Sequence, residues 1–143
     1  MDILELSVPE LVELGSENVV LDCDYDYDER EKMELDIKWY FNDSPSPFFQ
    51  WVPGQLKRPQ VSDLSVERDN VMSFLFAIQV IGELFARHLD LDYAVSDTRD
   101  RFKRHRALLL RRPTLDLSGS YTCKVSTFTD EEVKRKSMTI YGE

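Results

Sequence analysis

The chain has 143 residues, 42 % of them hydrophobic and 11 % aromatic, with a formal net charge of −9. That length suits one core, hence a single domain carrying an insertion, and the composition excludes a disordered chain. The acidic balance, with a sequence pI near 4.7, argues against a nucleic-acid partner, because phosphate binding needs a net basic footprint.

The charge is unevenly spread. Residues 1–36 carry thirteen acidic against two basic side chains, and residues 99–112 seven basic against one acidic. Such blocks read as two solvated surfaces of opposite sign or as patches that steer association. Residues 3–14 alternate loosely around Pro9, which suits an edge strand. From Val19 the alternation sharpens: Val19, Leu21, Cys23 and Tyr25 share one face, and Val20, Asp22, Asp24 and Asp26 the other. Asp24, Asp26 and Asp28 have the spacing that opens a calcium loop. Glu29 stands where glycine is required and Leu35 where a bidentate glutamate belongs, so strand alternation explains them and no metal is expected.

Residues 28–34 read as a charged loop. Ile37 to Phe41 form a strand, Trp39 inward and Tyr40 outward, ended by the turn Asn42-Asp43-Ser44-Pro45. Asn42 also heads the chain's one Asn-x-Ser/Thr sequon and is the glycosylation candidate. Phe48 to Pro53 is the densest aromatic run and reads as a sheet-edge strand. Its Phe48, Phe49 and Trp51 are either core residues or a partner-facing patch.

The segment Val71 to Ile81 breaks the pattern. It is too short to span a membrane, and Phe74, Ile78, Ile81 and Phe85 fall at helical spacing. Two readings stand: an amphipathic helix packed on the sandwich, or translated intron over 66–83, whose removal leaves a connection of ordinary size. Leu89 to Val95 reads as the next strand, Asp97 to Lys103 as a charged turn, and Ala107 to Leu110 as a strand ended by Pro113. Ser120 to Thr127 follows with Tyr121, Cys123 and Val125 inward and Thr122, Lys124 and Ser126 outward. Phe128 to Glu132 is a loop and Val133 to Tyr141 the last strand.

Catalytic chemistry has little to draw on. His88 and His105, the two histidines, read as surface residues, and no phosphate loop, metal-ligand cluster or nucleophile elbow is present. No catalytic residue, cofactor or small-molecule substrate is expected. Met1 is followed by Asp2 and Glu5, not by a basic segment and an apolar core. A leader and any anchor are therefore expected outside this sequence.

The stretch Leu117-Ser118-Gly119-Ser120-Tyr121-Thr122-Cys123, taken with Cys23 and Trp39, resembles the strand-F corner of an immunoglobulin domain. The resemblance implies an all-β, variable-type two-sheet sandwich, a disulfide between Cys23 and Cys123, and Trp39 and Tyr121 in the core. It also implies an oxidising, extracellular setting. One departure is Leu117, where an aspartate usually stands; Asp116 is displaced one place, and Arg87 is the candidate for its usual salt bridge.

Cys23-Asp24-Tyr25-Asp26, Lys38-Trp39-Tyr40, the Phe48-to-Pro53 run and the Tyr121-Cys123 corner resemble, more narrowly, the beaten path family of arthropod neural recognition proteins. That resemblance implies a secreted or cell-surface domain acting in adhesion or axon guidance. It would bind another immunoglobulin-family protein of the sidestep type, or a copy of itself, through the G-F-C-C′ sheet face. Strand parity puts Tyr40, Gln50, Lys124 and Ser126 on that face, with Phe128 beside it in the loop. The alternatives are a spacer domain without a ligand, or an intracellular immunoglobulin domain with reduced cysteines.

Overall fold

The computed structural model describes residues 1–61 and 81–142. Among these described residues ten strands follow one another: β1 (Asp2–Ser7), β2 (Leu11–Glu13), β3 (Asn18–Asp26), β4 (Asp36–Phe41), β5 (Phe49–Trp51), β6 (Gln60–Val61), β7 (Leu89–Asp90), β8 (Ala107–Arg111), β9 (Gly119–Ser126) and β10 (Glu131–Tyr141). They form a four-stranded sheet, β1-β3-β8-β7, and a six-stranded sheet, β2-β10-β9-β4-β5-β6.

The period-2 pattern of the sequence dictates this layering, since each strand sends alternate residues to the shared core. Val19, Leu21, Cys23 and Tyr25 of β3 are buried from one side. Ile37, Trp39 and Phe41 of β4 and Tyr121, Cys123 and Val125 of β9 meet them from the other. A disulfide joins Cys23 to Cys123 between the sheets, and Trp39 lies beside Cys123 in the β4–β9 register. Tyr121 donates its hydroxyl to the Leu117 carbonyl at 2.6 Å, which pins the turn entering β9.

The strand expected over 3–14 is divided. Proline interrupts the ladder, so β1 stays with β3 in one sheet while β2 crosses to pair in parallel with β10 in the other. The strand expected over 89–95 is cut to Leu89–Asp90. The Asp90 carboxylate accepts the Asp92 amide at 2.9 Å and bends the chain away from the sheet.

Residues 62–80, with Phe74, Ile78 and most of the segment considered as translated intron, lie outside the described residues. Residues 81–88 are helical. Leu84 and Phe85 are buried, and the Phe85 ring stacks on Phe48 with centroids 3.8 Å apart and planes 10° apart. Phe41 and Tyr121 both meet the same ring edge-on, so this helix is part of the core.

His105 corrects a sequence expectation: it is buried, not on the surface. Its ring stands edge-on to Trp51 at 5.1 Å, and its Nδ1 lies 2.8 Å from the Tyr93 carbonyl. The carbonyl only accepts, so Nδ1 carries the proton.

Candidate functional site: the outer face of the six-stranded sheet

Outward parity on β4 exposes Asp36, Lys38 and Tyr40, and on β9 Thr122, Lys124 and Ser126. The register sets Tyr40 beside Thr122, Lys38 beside Lys124 and Asp36 beside Ser126. Gln50 of β5 sits beside Lys38. On the far side β10 adds Glu131, Val133 and Arg135 opposite Ser126, Lys124 and Thr122. Tyr40, Gln50, Lys124 and Ser126 thus come together on one polar, half-exposed face.

The charges of the face are tied locally. Lys124 Nζ lies 3.3 Å from Glu131 and Lys38 Nζ 3.6 Å from Asp36, so two lysines that oppose each other across the strands are each drawn to their own carboxylate. Gln50 Nε2 donates to Asp36 Oδ1 at 3.0 Å. Arg135 reaches Asp43 at 3.3 Å. Half-exposed pairs of this kind contribute little to stability and exchange readily for a partner's charges.

Phe128 stands at the end of this face. Its hairpin is closed by the Thr127 amide donating to the Asp130 carbonyl at 2.9 Å, and the Phe128 amide donates to Glu34 at 3.0 Å. The backbone is held, yet the side chain is 82 % exposed. Lys38, outward by strand parity like Tyr40, belongs to the same face, and so do Asp36, Val133 and Arg135, which the sequence reading passed over although parity alone could have found them.

Of the Phe48-to-Pro53 run only Gln50 reaches this surface. Phe48, Phe49 and Trp51 are all buried, so the partner-facing reading of that run is corrected to core. Phe48 precedes β5 and donates its amide to the Trp39 carbonyl at 2.9 Å, which turns its ring toward Phe85. Trp51 Nε1 donates to the Leu56 carbonyl at 3.1 Å.

Asn42 is exposed and left-handed, with φ 53°. Its Oδ1 accepts the Ser120 amide at 3.0 Å, tying the turn to the start of β9. Gly119 makes this approach feasible: a Cβ there would lie 2.4 Å from Asn42 Oδ1 and 2.8 Å from the Phe41 ring. Asp116 accepts the Thr114 hydroxyl.

The opposed charge blocks of the sequence touch at Arg106, a buried cation beneath partly exposed carboxylates. Arg106 is 7 % exposed, with Nε 3.0 Å from Asp22 and NH2 2.8 Å from Asp97; NH1 lies 3.5 Å from Asp24. Burial works against the charge, but the hydrogen bonds to Asp22 and Asp97 outweigh it and raise the guanidinium pKa above its ordinary value. Asp24, once weighed as a calcium ligand, is thus held by Arg106 and by Lys103 at 3.8 Å. Asp28 caps the short helix Glu29–Glu34 by accepting the Arg30 amide at 3.0 Å. Among the described residues no group of three or more His, Cys, Asp or Glu side chains is placed to hold a metal.

The strand order, the inter-sheet disulfide and the tyrosine corner define a variable-type immunoglobulin fold. Solved structures agree. A structure described for multimeric cell-adhesive interactions of VGSC beta subunits superposes with a TM-score of 0.55 at 16 % identity, covering 96 % of this chain and 98 % of that one. The human B7-H4 IgV-like domain gives 0.50 at 13 %, covering 95 % and 94 %. An amphioxus IgVJ-C2 molecule gives 0.50 at 13 %, covering 91 % of this chain and 54 % of that one. No family model matches the sequence, and no curated protein does. No helix among the described residues is long and apolar enough to cross a membrane.

Proposed function

We propose that this chain is a recognition domain displayed in an oxidising, extracellular setting, and that it binds another immunoglobulin-type domain through the outer face of β10, β9, β4 and β5. The observation that carries this reading is Phe128, a large apolar side chain 82 % exposed on a backbone fixed from two sides, at the end of a polar face. An aromatic anchor beside exchangeable polar contacts is the usual make-up of a protein-binding hot spot. Tyr40, Gln50, Lys124 and Ser126 supply those contacts.

The beaten-path-like motifs narrow the partner to a sidestep-type immunoglobulin protein and the role to neural adhesion or axon guidance. The cell-adhesive beta-subunit structure supports adhesion in general through its fold. The test is a binding screen of the secreted domain, with and without residues 66–83, against a panel of extracellular immunoglobulin proteins that includes itself. A partner lost on Phe128→Ala and on Tyr40→Glu supports recognition through this face. A partner other than the chain itself that is retained by both, or no such partner for either well-folded form, refutes it and leaves a spacer.

A further inference from the structure

β10 is long, and β2 covers only its last part, pairing with Thr139 to Tyr141. Over residues 133–137 it has β9 on one side. On the other lies an open cleft of about 320 Å³ between Leu4 and Leu6 of β1 and Lys134 to Lys136. Leu4 stands at the bulge of β1, 56 % exposed, and Val133 is 49 % exposed.

The hydrogen-bond phase of this edge is fixed by its neighbours. The Thr139 amide donates to the Glu10 carbonyl at 2.9 Å, and the Tyr141 carbonyl accepts from Leu14 at 2.7 Å, both on the side away from β9. Strand alternation therefore turns the N–H and C=O of Val133, Arg135 and Ser137 to that same side. No ladder partner among the described residues meets them.

The sequence along the edge is Asp130-Glu131-Glu132-Val133-Lys134-Arg135-Lys136, three acids and three bases disposed symmetrically about a valine. We propose that two copies of this chain pair antiparallel along the β10 edge with Val133 on the two-fold axis, joining their six-stranded sheets into one. In that register Glu131 faces the other copy's Arg135, Glu132 its Lys134, and Asp130 its Lys136, each contact made twice. The pairs Val133 with Val133 and Glu131 with Arg135 are the ones whose main-chain groups point outward, so charge and hydrogen-bond phase agree on one register; the Glu131 amide, which donates to Asp130 Oδ1 at 2.8 Å, exchanges that carboxylate for the other copy's carbonyl as Asp130 turns to Lys136.

Neighbouring registers are rejected. Sliding by two residues sets Lys134 against Lys134 or Glu132 against Glu132, and sliding by one puts outward main-chain groups against inward ones. Lysines on an edge ordinarily prevent pairing; here the acidic half of the same strand turns them into partners. Lys134 and Lys136 have no ion-pair partner among the described residues, while Glu132 gives one oxygen to the Ile3 amide at 3.1 Å and keeps the other.

Sedimentation velocity on the whole chain across a concentration series tests this. The expected result is a monomer–dimer equilibrium whose dissociation constant rises about tenfold or more from low to high salt, as cross-strand ion pairs are screened. Two variants are then compared, one with Asp130, Glu131 and Glu132 all changed to Lys, the other with Lys134, Arg135 and Lys136 all changed to Glu. Each stays monomeric alone, and an equimolar mixture restores the dimer.

Val133→Pro removes only an outward-facing N–H, so it keeps the fold by circular dichroism and abolishes the dimer. Tyr40→Glu leaves self-association as it is. A parent chain that is monomeric at every concentration, charge variants that self-associate like the parent, or folded variants that fail to pair when mixed would each overturn the proposal.

Discussion

Arg106 and Asp22 lie 84 residues apart in the chain and within 3.0 Å in space, joined by two parallel hydrogen bonds from the guanidinium to the carboxylate. The start of β8 is thereby fastened to the acidic face of β3. Replacing Arg106 by methionine keeps much of the packing but leaves Asp22, Asp24 and Asp97 without their shared cation. A loss of about 3 kcal/mol is expected, as for breaking a buried ion pair. Urea unfolding measures it, and a change within error of zero would show that the cluster is dispensable.

Phe85 is expected to matter as much as any strand residue. It is fully buried against Phe48, Phe41 and Tyr121, so Phe85→Ala should cost about 3–5 kcal/mol. The same substitution at Ala-adjacent Arg87, exposed on the same helix, should change stability by less than about 0.5 kcal/mol. Thermal melts of the two variants side by side separate a helix end that is core from one that merely lies on the surface.

His105 makes stability depend on pH. Burial holds its pKa below the ordinary 6.5, the Tyr93 carbonyl only partly opposing that. The unfolded chain then takes up a proton near pH 6.5 before the folded one does. Stability is full above that pH, falls as the pH drops toward the folded-state pKa, and levels off once the folded protein is protonated as well. His105→Gln should flatten the urea midpoint between pH 7 and 5; an unchanged slope would assign the dependence to other groups.

The disulfide closes a loop of sequence separation 100. Its removal by Cys23→Ala with Cys123→Ala should cost about 4–5 kcal/mol on the loop-entropy account. Equilibrium unfolding of the double variant, beside the parent in reducing buffer, should give matching losses.

Gly119→Ala probes the turn that carries Asn42. The added methyl would displace the Asn42 oxygen or the Phe41 ring, so a loss of about 1–3 kcal/mol is expected. Asn42→Ala in the same background adds little where the methyl displaces the Asn42 oxygen and so breaks its bond to Ser120, and adds a further loss where the Phe41 ring yields instead.

The sandwich was legible because period-2 alternation, a tyrosine corner and two cysteines with a tryptophan are short-range signals that one fold satisfies together. The outer-face positions of Tyr40, Gln50, Lys124 and Ser126 follow from the same parity, so their assembly was readable too. Other features needed three dimensions. Alternation says that Asp22 and Asp24 face outward, but not that Arg106 folds over them. Nor does it say that the Tyr93 carbonyl bends back to accept a hydrogen bond from His105. Phe48 and Phe49 are consecutive and both buried, which strand parity forbids and a ring packed from 81–88 permits. Pro9 marked an edge, yet its division of one strand between two sheets depends on where β10 ends.

That division has a mechanical consequence. Leu11 to Glu13 run parallel to Thr139 to Tyr141, so tension drawn through the two ends of the domain pulls these segments along their length in opposite directions. Their hydrogen bonds lie across the strands and are loaded together rather than opened one after another. A domain tethered at both ends is thus clamped by one short parallel pairing, and resistance to pulling is concentrated in three residues on either side.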